Sequence, residues 1–183
     1  NDVFYVFLGR KTLCVQSYDV ATLSPNWSTT LTDEAGDGYS YRGQVGAGAL
    51  FLPSTTGGGL LRLDAETGQL TRLAPTPDRL LLPLLTREGQ VIARETGAKA
   101  SSSEALLSLD AATGAVTWRY EFGVRLPFES TYARTGALQE GEAVWAWRSD
   151  TAGPVVFTVS AGSGRKLTLQ VEQLDWATGT STP

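Results

Sequence analysis

Leu109-Asp110-Ala111-Ala112-Thr113-Gly114 is one of three copies of a six-residue signature in this chain. Leu63-Asp64-Ala65-Glu66-Thr67-Gly68 and Leu174-Asp175-Trp176-Ala177-Thr178-Gly179 are the others. A worn fourth copy, Tyr18-Asp19-Val20-Ala21-Thr22-Leu23, has lost its glycine. From Asp19 to Asp64, Asp110 and Asp175 the steps are 45, 46 and 65 residues. A period in the forties, with strand-like segments between turns, is how a β-propeller reads in sequence. The turn chemistry agrees: Asp accepts from backbone N–H groups ahead of it, Thr does so more weakly, and Gly takes the left-handed conformation that closes the hairpin.

Working outward from each turn gives an all-β chain of about three and a half four-stranded blades, short of the four to eight with which propellers close. The blades are expected at residues 1–36, 37–78, 79–123 and 124–183, as one propeller region. The first holds Val3–Leu8, Thr12–Tyr18 and Trp27–Leu31; the second Gln44–Gly48, Ala49–Pro53, Leu60–Leu63 and Leu70–Leu73. In the third, Leu80–Leu85, Gln90–Arg94 and Ala105–Leu109 lead to Val116–Phe122, where Val116, Trp118, Tyr120 and Phe122 alternate with polar residues as on a half-buried strand. The fourth is expected to hold Tyr132–Leu138, Ala143–Arg148 and Leu167–Leu174, with the longer step explained by lengthened strands or by an inserted hairpin at Val155–Val159. Its last strand would begin where the sequence stops at Pro183, and the incomplete end blades imply a section of a larger propeller. Absence of methionine, even at position 1, predicts that the chain is not a whole translation product.

Composition narrows the chemistry. A net charge of −4 with no basic run excludes a nucleic-acid footprint. With no histidine, the usual general base and the commonest metal ligand are missing, and the single cysteine, Cys14, cannot form an intrachain disulfide. No segment reaches the ~18 apolar residues of a membrane helix, and Asn1 to Leu8 lacks the charged start of a signal peptide. Asp33-Glu34-Ala35-Gly36-Asp37-Gly38 spaces oxygens like a Ca2+ loop, but Ala35 takes a ligand position and no bidentate Glu follows; a polar surface turn is the plainer reading. Trp145 and Trp147 share one face of a strand, as core or as a binding platform.

The third repeat resembles the tryptophan-docking repeat of the pyrroloquinoline-quinone-type propellers, Ala-x-Asp-x-x-Thr-Gly-x-x-x-Trp. Ser108 stands for the Ala; Asp110, Thr113, Gly114 and Trp118 match. The second repeat keeps Asp64, Thr67 and Gly68 with Arg72 in the tryptophan place; the first keeps Asp19, Thr22 and Trp27; the fourth keeps Asp175, Thr178 and Gly179. The resemblance implies that Trp27 and Trp118 lie flat between blades. It also implies two branches, quinone-dependent dehydrogenases and non-enzymatic scaffolds. The dehydrogenases would need Asp, Glu and Asn oxygens around Ca2+ and commonly a vicinal disulfide; this chain has one cysteine and only Asn1 and Asn26. The expectation is therefore a scaffold or protein-binding module of a bacterial cell-envelope complex, periplasmic or extracellular, with no cofactor, metal or catalytic residue of its own. Its partners would be another protein or the remaining blades. The alternative is a fragment of a quinone-dependent oxidoreductase whose active site lies outside these residues.

Overall fold

The computed structural model describes residues 3–8, 12–32, 43–54, 56, 58–74, 76, 79–97, 104–122, 143–149, 154–161 and 167–182. They form fifteen antiparallel strands in four sheets, each a meander in chain order. The first sheet is β1 (Val3–Leu8), β2 (Thr12–Asp19) and β3 (Pro25–Thr32). The second is β4 (Gln44–Gly46), β5 (Ala49–Pro53), β6 (Leu60–Asp64) and β7 (Leu70–Leu73). The third is β8 (Arg79–Arg87), β9 (Gln90–Gly97), β10 (Glu104–Asp110) and β11 (Val116–Phe122). The fourth is β12 (Ala143–Ser149), β13 (Pro154–Ala161), β14 (Leu167–Leu174) and β15 (Ser181–Thr182). This is a β-propeller fold, each sheet one blade.

The fourth sheet corrects the sequence reading. Val155–Val159 is no insertion: it lies in β13, which pairs on both sides as the second strand of the blade. The last strand is present as β15, Ser181 opposite Leu174. The added length of the fourth step falls between β11 and β12, at residues 123–142, so the proposed strand Tyr132–Leu138 lies outside the described residues.

Side-chain parity then builds the joints. On a strand, alternate residues face opposite ways, and both faces of the middle sheets are apolar. Leu50, Leu52, Leu61 and Leu63 of the second sheet pack back against Leu13, Val15, Trp27 and Leu31 of the first. Phe51, Leu60 and Leu73 pack forward against Leu81, Val91, Ala93, Leu107 and Leu109 of the third. From the third sheet, Ile92, Leu106 and Trp118 pack forward against Leu174. Face-to-face burial of these aliphatic surfaces is the main stabilising term.

Two-residue hairpins connect the inner strands. Ala47-Gly48 and Glu88-Gly89 both have positive φ at each position, 48° and 70°, then 42° and 85°. That is the type I′ turn whose twist matches the flanking strands.

Candidate functional site

The signature residues assemble at one corner per blade, in the turn before the outer strand. Oδ1 of Asp110 accepts from the Ala112 N–H (3.1 Å), the Thr113 N–H (2.7 Å) and the Thr113 hydroxyl (2.7 Å). Thr113 Oγ1 in turn accepts from the Ala115 N–H, and the Gly114 N–H donates to the Asp110 carbonyl. Asp64 with Thr67 and Asp175 with Thr178 repeat the arrangement. So does the worn copy: Asp19 Oδ1 accepts from the Thr22 N–H and hydroxyl, and the Leu23 N–H donates to the Asp19 carbonyl. Leu23 even adopts the left-handed φ of 56°, against 70°, 74° and 66° at Gly68, Gly114 and Gly179. A leucine there costs about 1–2 kcal/mol relative to a right-handed conformation.

These hydrogen bonds hold the four aspartates below the ordinary carboxylate range. The Thr67, Thr178 and Thr22 backbone N–H groups contribute most at Asp64, Asp175 and Asp19, and the Thr113 hydroxyl contributes most at Asp110. A depressed folded-state pKa gives stability that is complete above the unfolded value, about 3.9, and is lost as pH falls through the folded value. Acid unfolding should therefore begin below about pH 4. Asp110→Asn, which keeps an acceptor but no charge, should flatten the acid limb of a pH-dependent melt; an unchanged limb would remove the turn as its source.

The residue after the aspartate joins corner to hairpin or blade to blade, and Ala65 does both. The Ala65 N–H donates to Gly48 O and that of Ala111 to Gly89 O, tying each corner to the inner hairpin of its own blade. The carbonyl of the same residue position faces the preceding blade. Trp27 Nε1 donates to Ala65 O (2.9 Å) and Trp118 Nε1 to Trp176 O (2.8 Å). Both rings are buried, Trp118 to 6% exposure, and lie on the glycine of the next corner. A Cβ at Gly68 would stand 2.6 Å from the Trp27 ring, and at Gly179 2.5 Å from that of Trp118. Glycine is thus needed twice, for its φ and for the ring above it.

A β-bulge aims each tryptophan. Leu109 pairs with Val116, but Ser108 pairs with Trp118, so Thr117 is the extra residue. Asn26 plays that part before Trp27, which pairs with Ser17. Strict alternation from Val116 to Trp118 does not hold: the bulge puts them on opposite faces, leaving Val116 53% exposed while Trp118 is buried. In the second sheet the register is regular, with Thr71 opposite Arg62 and Arg72 opposite Leu61. Arg72 therefore points back toward the first blade, its Nη1 donating to Ser54 Oγ at 2.7 Å. Leu73 points forward, and its Cβ would meet a Cβ on Gly114 at 2.8 Å. Arg72 is thus not the counterpart of the docking tryptophan; Leu73 takes that place.

Ser17 and Ser108, opposite the two tryptophans, are fully buried. Ser17 Oγ accepts from Asn26 Nδ2 (3.3 Å), whereas Ser108 Oγ has no hydrogen-bond partner among the described residues. An unpaired buried hydroxyl costs about 1–3 kcal/mol. Ser108→Ala should therefore raise stability by about 1 kcal/mol, read as a higher denaturant midpoint at constant m; a lower midpoint would mean that the hydroxyl is paired.

Some joint residues carried no signature in the sequence. Arg79 (2.9 Å from the carboxylate) and Arg119 both pair with the buried Glu95, and Arg119 also meets Glu121, making a charged ladder across the third sheet. Only the alternation of Arg119 and Glu121 with the aromatic positions of β11 hinted at it. Tyr120 donates to Glu172 across the third joint at 2.7 Å; burial first, then this carboxylate, pushes its hydroxyl up to about 12. The Arg87 guanidinium lies 5.2 Å from the Trp176 ring centre.

Trp145 and Trp147 lie on β12, opposite Thr158 and Val156. The acidic stretch 33–38 lies outside the described residues. Among the described residues no three His, Cys, Asp or Glu side chains gather as a metal site, and no helix is long and apolar enough to cross a membrane.

No family model and no curated protein matches the sequence. Among solved structures the fold is similar to a europium-containing methanol dehydrogenase, with a TM-score of 0.61 and 16% identity over 99% of this chain and 39% of that one. It is also similar to the quinohemoprotein alcohol dehydrogenase ADHIIG from Pseudomonas putida HK5, with a TM-score of 0.58 and 16% identity over 99% of this chain and 32% of that one. At this identity the likeness establishes the fold. The chain spans well under half the length of either.

Proposed function

We propose that this chain is a section of a larger pyrroloquinoline-quinone-type propeller that acts by contact, as a scaffold or protein-binding module of a bacterial cell-envelope complex, periplasmic or extracellular. One observation carries the reading: the signature residues are committed to construction. Each signature aspartate spends Oδ1 on its own turn, and each docking tryptophan spends its indole N–H on the next corner. A carboxylate held at low pKa by three donors is a poor general base near neutral pH. Strand β12, with Trp145 and Trp147, is the surface we assign to partner contact.

The second reading, a section of a quinone-dependent oxidoreductase, is favoured by the two dehydrogenases that share the fold. One assay separates them. The protein is incubated with pyrroloquinoline quinone, Ca2+ and an alcohol, and an artificial electron acceptor is followed. We expect no turnover that depends on a carboxylate of residues 1–183. Turnover abolished by Asp64→Asn or Glu95→Gln in a variant that melts normally would overturn the scaffold reading.

A further inference from the structure

The first sheet has a back face that stands in register with faces buried elsewhere in the chain. At one, three and five residues before the signature aspartate, the third blade places Leu109, Leu107 and Ala105, all buried against the second sheet. The second blade places Leu63 and Leu61 against the first sheet. In the first blade the same positions hold Tyr18, Gln16 and Cys14, all only half-buried. Phe4 stacks on Tyr18 with ring centres 5.2 Å apart, and the Tyr18 hydroxyl donates to Gln16 Oε1 at 2.8 Å. Of the seven exposed large apolar side chains among the described residues, four belong to this face or its corner: Phe4, Leu8, Val20 and Leu23. The concentration marks a surface built to be covered.

Leu23 decides what can cover it. At the second and fourth corners the preceding blade supplies a protruding ring and the corner supplies glycine as the hollow. At the first corner the hollow is filled from within, because Leu23 has the same left-handed backbone but carries a side chain, 68% exposed. A ring seated as Trp27 sits on Gly68 would overlap it. We propose that this face is a joint to a further blade of the same propeller in which knob and hole are exchanged: Leu23 inserts, and the covering outer strand presents a small residue instead of tryptophan. Gln16 adds a second requirement. Its counterpart in the fourth blade, Glu172, accepts from the Tyr120 hydroxyl of the blade before it, so the covering sheet should offer Gln16 a hydrogen-bonding group.

The occupant is a blade and not an unrelated partner for two reasons. Every other face at this place in the repeat is covered by the preceding sheet. The two solved chains that share the fold also run far beyond the section matched. The inference rests on the larger-propeller reading.

Cys14 is a built-in reporter, since its thiol lies on this face beside Ser28 Oγ and is the only one in residues 1–183. In the intact protein, a maleimide should label the tryptic peptide of residues 12–42 at least about tenfold more slowly before denaturation than after, independently of protein concentration. A photoreactive benzoylphenylalanine replacing Leu23 should cross-link within one polypeptide to an outer strand whose residue eight places after its aspartate is small. Rapid native labelling would mean an open face and would sink both this joint and the larger-propeller reading. Protection that grows with concentration, or a cross-link between two copies or to another protein, would overturn the proposal. A cross-link to a strand carrying tryptophan at that position would leave the larger propeller standing and remove the exchange.

Discussion

Trp118→Ala should destabilise the protein by about 3–5 kcal/mol, the usual loss for a buried aromatic. The indole is 6% exposed, covers the corner glycine of the fourth blade, and donates to the Trp176 carbonyl. Truncation leaves a cavity between two sheets and deprives a partly buried carbonyl of that donor. For a domain of this size the melting midpoint should fall by roughly 10 °C. Trp118→Phe loses the donor and part of the ring, so about 1–3 kcal/mol should separate it from wild type. A midpoint within about a degree of wild type in the alanine variant would refute the docking role.

Gly179→Leu should cost about 2–5 kcal/mol, combining left-handed strain with overpacking against the Trp118 ring. Its φ is 66° and an added Cβ would stand 2.5 Å from that ring. The informative measurement is the double variant. If knob and hole can be exchanged at a corner, Trp118→Ala combined with Gly179→Leu should lose less than the sum of the single losses, with a coupling of about 0.5–3 kcal/mol. Strict additivity in denaturant melts would show that a leucine at the corner cannot use the space a missing tryptophan leaves. Leu23→Gly should separate the two settings of the first corner: with the corner uncovered, relief of strain offset by the entropy of glycine keeps the change below about 1 kcal/mol, whereas a leucine inserted in a covering blade should cost about 2–5 kcal/mol on truncation.

Much of the fold was legible because turns are local. Asp, Thr and Gly at fixed spacing specify a hydrogen-bonded corner regardless of what packs on it, so the corners at Asp64, Asp110 and Asp175 could be read directly. Leu23 shows the limit of that reading: the turn forms without its glycine, since the Asp19 and Thr22 bonds suffice to hold it. Which way a strand residue faces was less legible, because a single unpaired residue changes it. Thr117 and Asn26 carry no mark that distinguishes them from Thr71, yet two are bulged and one is paired. The longer fourth step was misplaced for a related reason. Turn-forming residues at 150–154 and 160–164 read as an insertion, whereas they border an ordinary strand. The charged ladder around Glu95 was hinted at only by Arg119 and Glu121 on one strand, because its partners come from three strands and meet only when the sheet forms.

The bulge at Thr117 makes the outer strand of a blade a one-bit instruction. Whether one residue there is bulged or paired changes no side chain, yet it reassigns everything downstream from one neighbour to the other. Were Thr117 paired with Ser108 instead of bulged, Trp118 would stand opposite Leu107 and turn toward the second blade; a paired residue inserted after Thr71 would set Arg72 opposite Leu60 and turn it toward the third. Duplicated repeats of this kind can thus exchange partners by gaining or losing a bulge, or by a single paired insertion, with no substitution at the residues redirected. A comparison of such repeats by substitutions alone would miss the event that redirects them.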